Sequence, residues 1–213
     1  MADNTWATPL YFRPLDFGVD VAVVAGTKYL VGHSDVMIGT VAANEKAWPK
    51  IKETHGTMGQ AVGPDDIYLA LRGLRTMGIR LDRQMASGLA VARWLEARPE
   101  VKRVLHPALA SDPGHALWQR DMRGASGLFG VVFDGWSVDD AKAFVDGLHL
   151  FGIGASWGGF ESLAILAGLK GIRSVSPWTD GPLVRLHVGL EEPADLIADI
   201  ERSLVAVAER RNG

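Results

Sequence analysis

Val21-Ala22-Val23-Val24-Ala25 is an unbroken apolar run closed by a glycine, and it constrains the fold more than any other segment. A short valine-rich run bounded by turn residues reads as a buried strand, which needs a sheet covered on both faces. The chain continues Gly26-Thr27-Lys28-Tyr29-Leu30-Val31-Gly32-His33-Ser34-Asp35. The strand ends, the chain turns, and Lys28 is presented at the carboxyl end of the strand, where open α/β sheets hold their ligands. Thr27 sets a hydroxyl beside it, and Gly26 and Gly32 allow close backbone approach. An amine held that way suits a Schiff base with an aldehyde cofactor. Taken alone, the segment is equally consistent with a solvated lysine whose stem lies along apolar surface.

The rest of the chain narrows the class. With 213 residues, 47% of them hydrophobic, it is long enough for a real core in one domain or two small ones. A net charge of −3 without an evident basic face argues against nucleic acid as a partner. The absence of cysteine excludes disulfides, thiolate metal sites and a cysteine nucleophile. The six histidines have no metal-ligand spacing. No apolar run is long enough to span a bilayer, and Met1–Trp6 lacks the pattern of a secretory signal. The expectation is a soluble cytoplasmic protein without a membrane partner.

Strands are expected over residues 20–25, 36–42, 101–105, 127–133, 150–153 and 183–188, with one or two helical turns over 9–17. A short helix capped by Asn44 runs to about Thr54, with Pro49 irregular inside it. A long helix begins near Pro64-Asp65-Asp66 and stops before Pro99, with Ile67, Leu71, Leu74, Leu81, Met85, Leu89, Ala92 and Leu95 along one face. Further helices are expected around His115–Asp121, after Ser137, and from Pro193 onward. The fold class is α/β. Residues 1–75 look like part of an α/β sheet domain and residues 76–213 like an α+β domain, bridged by the long helix. His187 reads as a hydrogen-bonded strand histidine, His33 as a supporting hydrogen bond, and His55, His106, His115 and His149 as surface or turn residues. Gly158-Gly159 reads as a turn, and Trp48, Trp94, Trp118 and Trp136 as packing residues.

Four segments in register carry a resemblance: Asp3-Asn4-Thr5-Trp6-Ala7-Thr8-Pro9, Thr27-Lys28-Tyr29-Leu30-Val31-Gly32-His33-Ser34-Asp35, Ala155-Ser156-Trp157-Gly158-Gly159-Phe160-Glu161-Ser162-Leu163, and Leu183-Val184-Arg185-Leu186-His187-Val188-Gly189-Leu190-Glu191. Together they resemble the pyridoxal-phosphate enzymes of cysteine and methionine metabolism, the trans-sulfuration enzymes, over essentially the whole chain. Trp6 and the Ser156-Trp157 pair resemble the cystathionine β-lyase branch more than the γ-acting branches.

The resemblance implies a role for each matching residue. Lys28 would bind pyridoxal 5′-phosphate and exchange the substrate Cα proton. Asp3 would pair with the pyridinium nitrogen, and Thr27 would reach the cofactor phosphate. Many relatives carry a serine where this chain has Ala25. Arg185 would grip the substrate carboxylate, with Ser156 helping and Trp157 walling the pocket. Arg185 is also a lone charge in an apolar strand, which could instead form a structural ion pair with Glu161 or Glu191. Relatives often have tyrosine at the position of Ala155, so a roomier pocket is expected.

The implied fold is the carboxyl-terminal part of a fold-type-I PLP-dependent transferase: a piece of the large-domain sheet plus the small domain. The family's enzymes are roughly twice this length, and Asp3 has no evident strand to end. The expectation is therefore a truncated or split chain, weak in cofactor binding when alone. It would work as a homo-oligomer, commonly a homotetramer, or paired with the missing amino-terminal half. The implied activity is a carbon–sulfur lyase of methionine biosynthesis. It would convert a small amino-acid thioether, cystathionine, to homocysteine, pyruvate and ammonia by α,β-elimination. The alternatives are a γ-acting relative (cystathionine γ-synthase, γ-lyase or sulfhydrylase), a non-catalytic fragment, and a PLP-free binding module.

Overall fold

The computed structural model describes residues 1–169 and 171–212. The chain forms two sheets joined by one long helix. In the first sheet β1 (Ala2–Asp3) runs parallel to β2 (Val21–Ala25), and β3 (Gly39–Ala43) pairs with β2 in the antiparallel sense. Between β1 and β2 lie α1 (Thr8–Tyr11) and a 3-10 turn, Pro14–Phe17, closed by Gly18 in the left-handed region.

Three expectations change here. Asp3 does end a strand: β1 is only two residues long, held by its register with Ala22 and Val23. β2 alternates, with Ala22 and Val24 buried and the residues between them half-buried, so its cover is one-sided. The strand expected over 36–42 begins at Gly39, because Val36–Ile38 fold back onto the lysine loop, and β3 is largely exposed.

After Asn44, whose Oδ1 accepts from the Ala47 N–H, comes α2 (Trp48–Thr57). Pro49 stands in its first turn, where a missing N–H costs nothing, so it starts the helix instead of disturbing it. Trp48 is exposed, not packed. α3 (Pro64–Glu96) is 33 residues long, with Pro64, Asp65 and Asp66 in its first turn. Its apolar face is buried only in part. Leu81, Ala92 and Leu95 are covered, whereas Ile67, Leu71 and Leu74 are exposed.

The second sheet is built from β4 (Val101–Leu105), β5 (Leu128–Phe133), β6 (Gly152–Ile153), β7 (Leu163–Ala167) and β8 (Leu183–His187) in the order β4-β5-β8-β7-β6. Pairing is antiparallel except between β6 and β7. α4 (His115–Asp121) lies in the connection from β4 to β5, while α5 (Val138–Asp146) and α6 (Pro193–Asn212) stand beside the sheet. Ser137 and Asp140 form a reciprocal capping box that starts α5. The main core joins Val91, Ala92 and Leu95 of α3 to Phe129, Val131 and Phe133 of β5, Leu186 of β8, and Leu196, Ile200 and Leu204 of α6. The three α6 residues recur every fourth position, so one stripe covers the sheet.

Candidate functional site

Lys28 lies three residues past the end of β2 and Asp3 ends the adjacent parallel strand, so both occupy the same edge of the first sheet. The Asp3 loop is tied to that edge. The Asn4 N–H donates to Val23 O at 2.8 Å, and the Ala25 N–H donates to Thr5 Oγ1 at 2.9 Å. The Thr5 N–H donates to Asp3 Oδ1 at 2.8 Å, and hydrogen bonding from Thr5 lowers the Asp3 pKa. Asp3 is therefore an ionised, exposed carboxylate.

The lysine loop is fixed from below by a residue whose part was not evident from sequence. Arg80 of α3, buried and 5% exposed, donates to Tyr29 O at 2.9 Å, Leu30 O at 3.3 Å and Gly73 O at 2.7 Å, and its Nε donates to Thr76 Oγ1. A Cβ on Gly32, at φ +70°, would lie on the Arg80 guanidinium, which is why that position needs glycine. Thr27 Oγ1 accepts from the Ile38 N–H at 2.9 Å and donates to Ile38 O at 3.3 Å.

From above, the loop after β6 closes over the lysine. Lys28 Nζ donates to Ser156 Oγ at 2.9 Å and lies 5.3 Å from the Trp157 ring centroid. Arg185 of β8 donates to Ser156 O and Gly154 O, each at 3.0 Å. Its Nε is buried without a partner, and among the described residues no carboxylate pairs with it. Glu191, one of the two acids weighed as its partner, accepts instead from Ser162 N–H and Oγ–H, both at 2.8 Å. Partial burial, then the neighbouring Arg185 charge, lowers the Lys28 pKa, and burial lowers that of Arg185. Ser156 thus joins two cations that no acid among the described residues neutralises, which is a place for an anion bearing an acidic C–H or an electrophile.

The histidines divide differently from expectation. His33 Nδ1 is 2.6 Å from Val31 O, a local bond as expected. His106 opens a turn, its carbonyl accepting from the Leu109 N–H at 3.0 Å, but it is fully buried against Trp6 and Phe129 and not at the surface. His187 is fully buried, and its Nε2 accepts from the Gly158 N–H at 3.1 Å. Burial lowers its pKa to about 4, so the ring is neutral. Among the described residues no group of three or more His, Cys, Asp or Glu could hold a metal ion, and no helix is long and apolar enough to cross a membrane.

The family model described as "Cys/Met metabolism PLP-dependent enzyme" matches residues 1–205. A putative cystathionine beta-lyase of Rhizobium johnstonii is 55% identical over 98% of this chain and 54% of its own length. The cystathionine beta-lyase of Bordetella avium is 49% identical over 95% of this chain and 52% of its own. Among solved structures, cystathionine gamma synthase from Xanthomonas oryzae pv. oryzae, in complex with aminoacrylate and cysteine, superposes with a TM-score of 0.87 at 34% identity. That match covers 97% of this chain and 55% of the other. The chain spans about half the length of the curated relatives it matches.

Proposed function

The chain belongs to the Cys/Met metabolism PLP-dependent enzyme family, and from that premise we propose that it carries the lysine site of a carbon–sulfur lyase acting on cystathionine. One cystathionine and one water would give homocysteine, pyruvate and ammonia. The observation that carries this reading is the Lys28–Ser156–Arg185 arrangement: two cations bridged by one residue, with no acid between them. An amino-acid substrate fits it, bringing a carboxylate to Arg185 and a Cα proton to Lys28.

The donor set fits pyridoxal phosphate. Lys28 offers an amine, and Asp3 offers an ionised carboxylate at the end of the neighbouring strand. Thr27 offers a hydroxyl whose donor would turn from Ile38 O to a phosphate oxygen. When bound, the cofactor supplies an aldehyde for the substrate amine and a ring that takes up the electrons released at Cα. The chain's own residues do the rest. The lowered pKa of Lys28 raises its neutral fraction, so Nζ can accept the Cα proton, and Ser156 Oγ holds that nitrogen on one side. Asp3 would keep the ring nitrogen protonated. Arg185 would orient the carboxylate, and Trp157 would shield Nζ from water. Further cofactor contacts would come from a polypeptide equivalent to the unmatched half of the relatives, or from a neighbouring subunit of a homo-oligomer.

The test has two parts. Pyridoxal phosphate is titrated into the chain and into Lys28→Ala, alone and with a complementing polypeptide. A visible absorbance band that survives Lys28→Ala would sink the assignment. Product analysis from cystathionine then separates pyruvate, from β-cleavage, from 2-oxobutanoate, from γ-cleavage. The γ-acting reading is kept because a solved γ-synthase superposes closely.

A further inference from the structure

The Gly158–Gly159 pair does more than turn the chain. Gly158 has φ +82°, and a Cβ there would come within 3.0 Å of Lys28 C, Lys28 Cβ and Tyr29 N. A Cβ on Gly159 would fall 2.2 Å from Ser34 Oγ, at the far end of the lysine loop. The two glycines therefore lie flat across that loop.

Two buried polar side chains hold them there. His187 Nε2 accepts from the Gly158 N–H at 3.1 Å, and Gln84 Nε2 donates to Gly159 O at 2.7 Å. Both side chains are fully buried. The Tyr29 ring seats the imidazole edge-on, centroids 6.0 Å apart. His187 also follows Arg185 by two positions on β8, so both project from the same face of the strand. Arg185 takes the carbonyls of Gly154 and Ser156, and His187 takes the N–H of Gly158. Alternate residues of the loop are gripped by alternate residues of one strand. An apolar side chain at 187 would fill the volume but leave the Gly158 N–H buried without an acceptor.

We propose that His187, assisted by Gln84, is a positioning residue: it clamps the Gly158–Gly159 backbone onto the lysine loop and so sets where Lys28 Nζ stands relative to Ser156 and Arg185. The inference rests on the reading of Lys28 given above.

The test follows the titration of Lys28 itself, without cofactor. The 213-residue chain is reductively methylated with 13C, and the Lys28 signal is assigned by its loss in Lys28→Arg. In the unchanged chain its midpoint should lie below those of the surface lysines. His187→Gln, whose amide oxygen can still accept from Gly158, should preserve it, whereas His187→Leu should raise it toward the midpoints of the surface lysines as the loop lifts and water enters. If His187→Leu does not fold, Gln84→Met, which frees Gly159 O and spares the ring, decides the matter. A raised midpoint there supports the clamp and an unmoved one overturns it. A low midpoint that ignores a folded His187→Leu overturns this inference alone. A Lys28 that titrates with the surface lysines in the unchanged chain sinks the functional reading and the clamp together.

Discussion

Gly158 rests against Lys28 so closely that the smallest possible side chain would meet the lysine backbone at 3.0 Å. The contact joins the loop after β6 to the loop after β2, so the two sheets meet at the amine. Gly158→Ala would put a methyl there and hold a non-glycine residue at φ +82°. We expect it to cost about 1–3 kcal/mol, read as a lower midpoint in urea unfolding, and to weaken pyridoxal phosphate binding.

Arg80 should be among the least replaceable side chains outside the main core. Arg80→Met would leave the carbonyls of Tyr29 and Leu30 short of a donor. Arg80→Lys would restore a charge but not the fork that reaches several acceptors at once. The expected loss is about 3 kcal/mol for either, measured by denaturant unfolding.

Acid should weaken the fold before its carboxylates titrate. Burial holds His187 neutral down to about 4 against 6.5 in the unfolded chain, with Lys28 and Arg185 facing it as cations. A folded-state pKa below the unfolded value means stability is full above pH 6.5 and drains as pH falls toward 4. At ~1.4 kcal/mol per pKa unit the drop is about 3 kcal/mol. Burial lowers the His106 pKa too, in the same sense. The lowered carboxyls of Asp3 and Asp199 act only below 3.8. Urea unfolding at a series of pH values checks this, and His187→Gln should flatten the slope.

Removing the Arg185 charge should raise the Lys28 pKa. Burial is the larger cause of its depression and Arg185 the second, so Arg185→Met should recover only part of it. The Lys28 midpoint, followed by 13C-methyl signals, should rise by less than it does when the glycine clamp is opened. Ionic strength should shift it little, because the pair is partly buried.

Lys28 and Arg185 could be singled out because they break local patterns, an amine after an apolar run and a guanidinium inside an alternating strand, while the roles proposed for them rest on the resemblance. Their supports were harder to find. β1 pairs through only two residues, too few for any periodicity, so Asp3 could be placed by resemblance but not by strand pattern. β7 was missed although Leu163-Ala164-Ile165-Leu166-Ala167 is a plain apolar run, because it follows the glycine-rich loop without a turn signal of its own. Arg80 and Gln84 did leave a trace. They are polar residues at helical spacing that prove to be buried, and a polar stripe of that kind on an otherwise amphipathic helix marks groups spoken for by distant backbone. The fold class was legible throughout, since it rests on periodicity and not on partners.

Arg80 and Gln84 are four residues apart on α3, about one turn. The first holds the loop that carries Lys28, and the second holds the loop that covers it. A single rod is therefore the common gauge for both halves of the site, and its pitch sets their spacing. One alanine inserted between the two would twist the later grip by roughly 100°. The amine and its lid would then be indexed to different sides of the same shaft, with every contacting side chain still present.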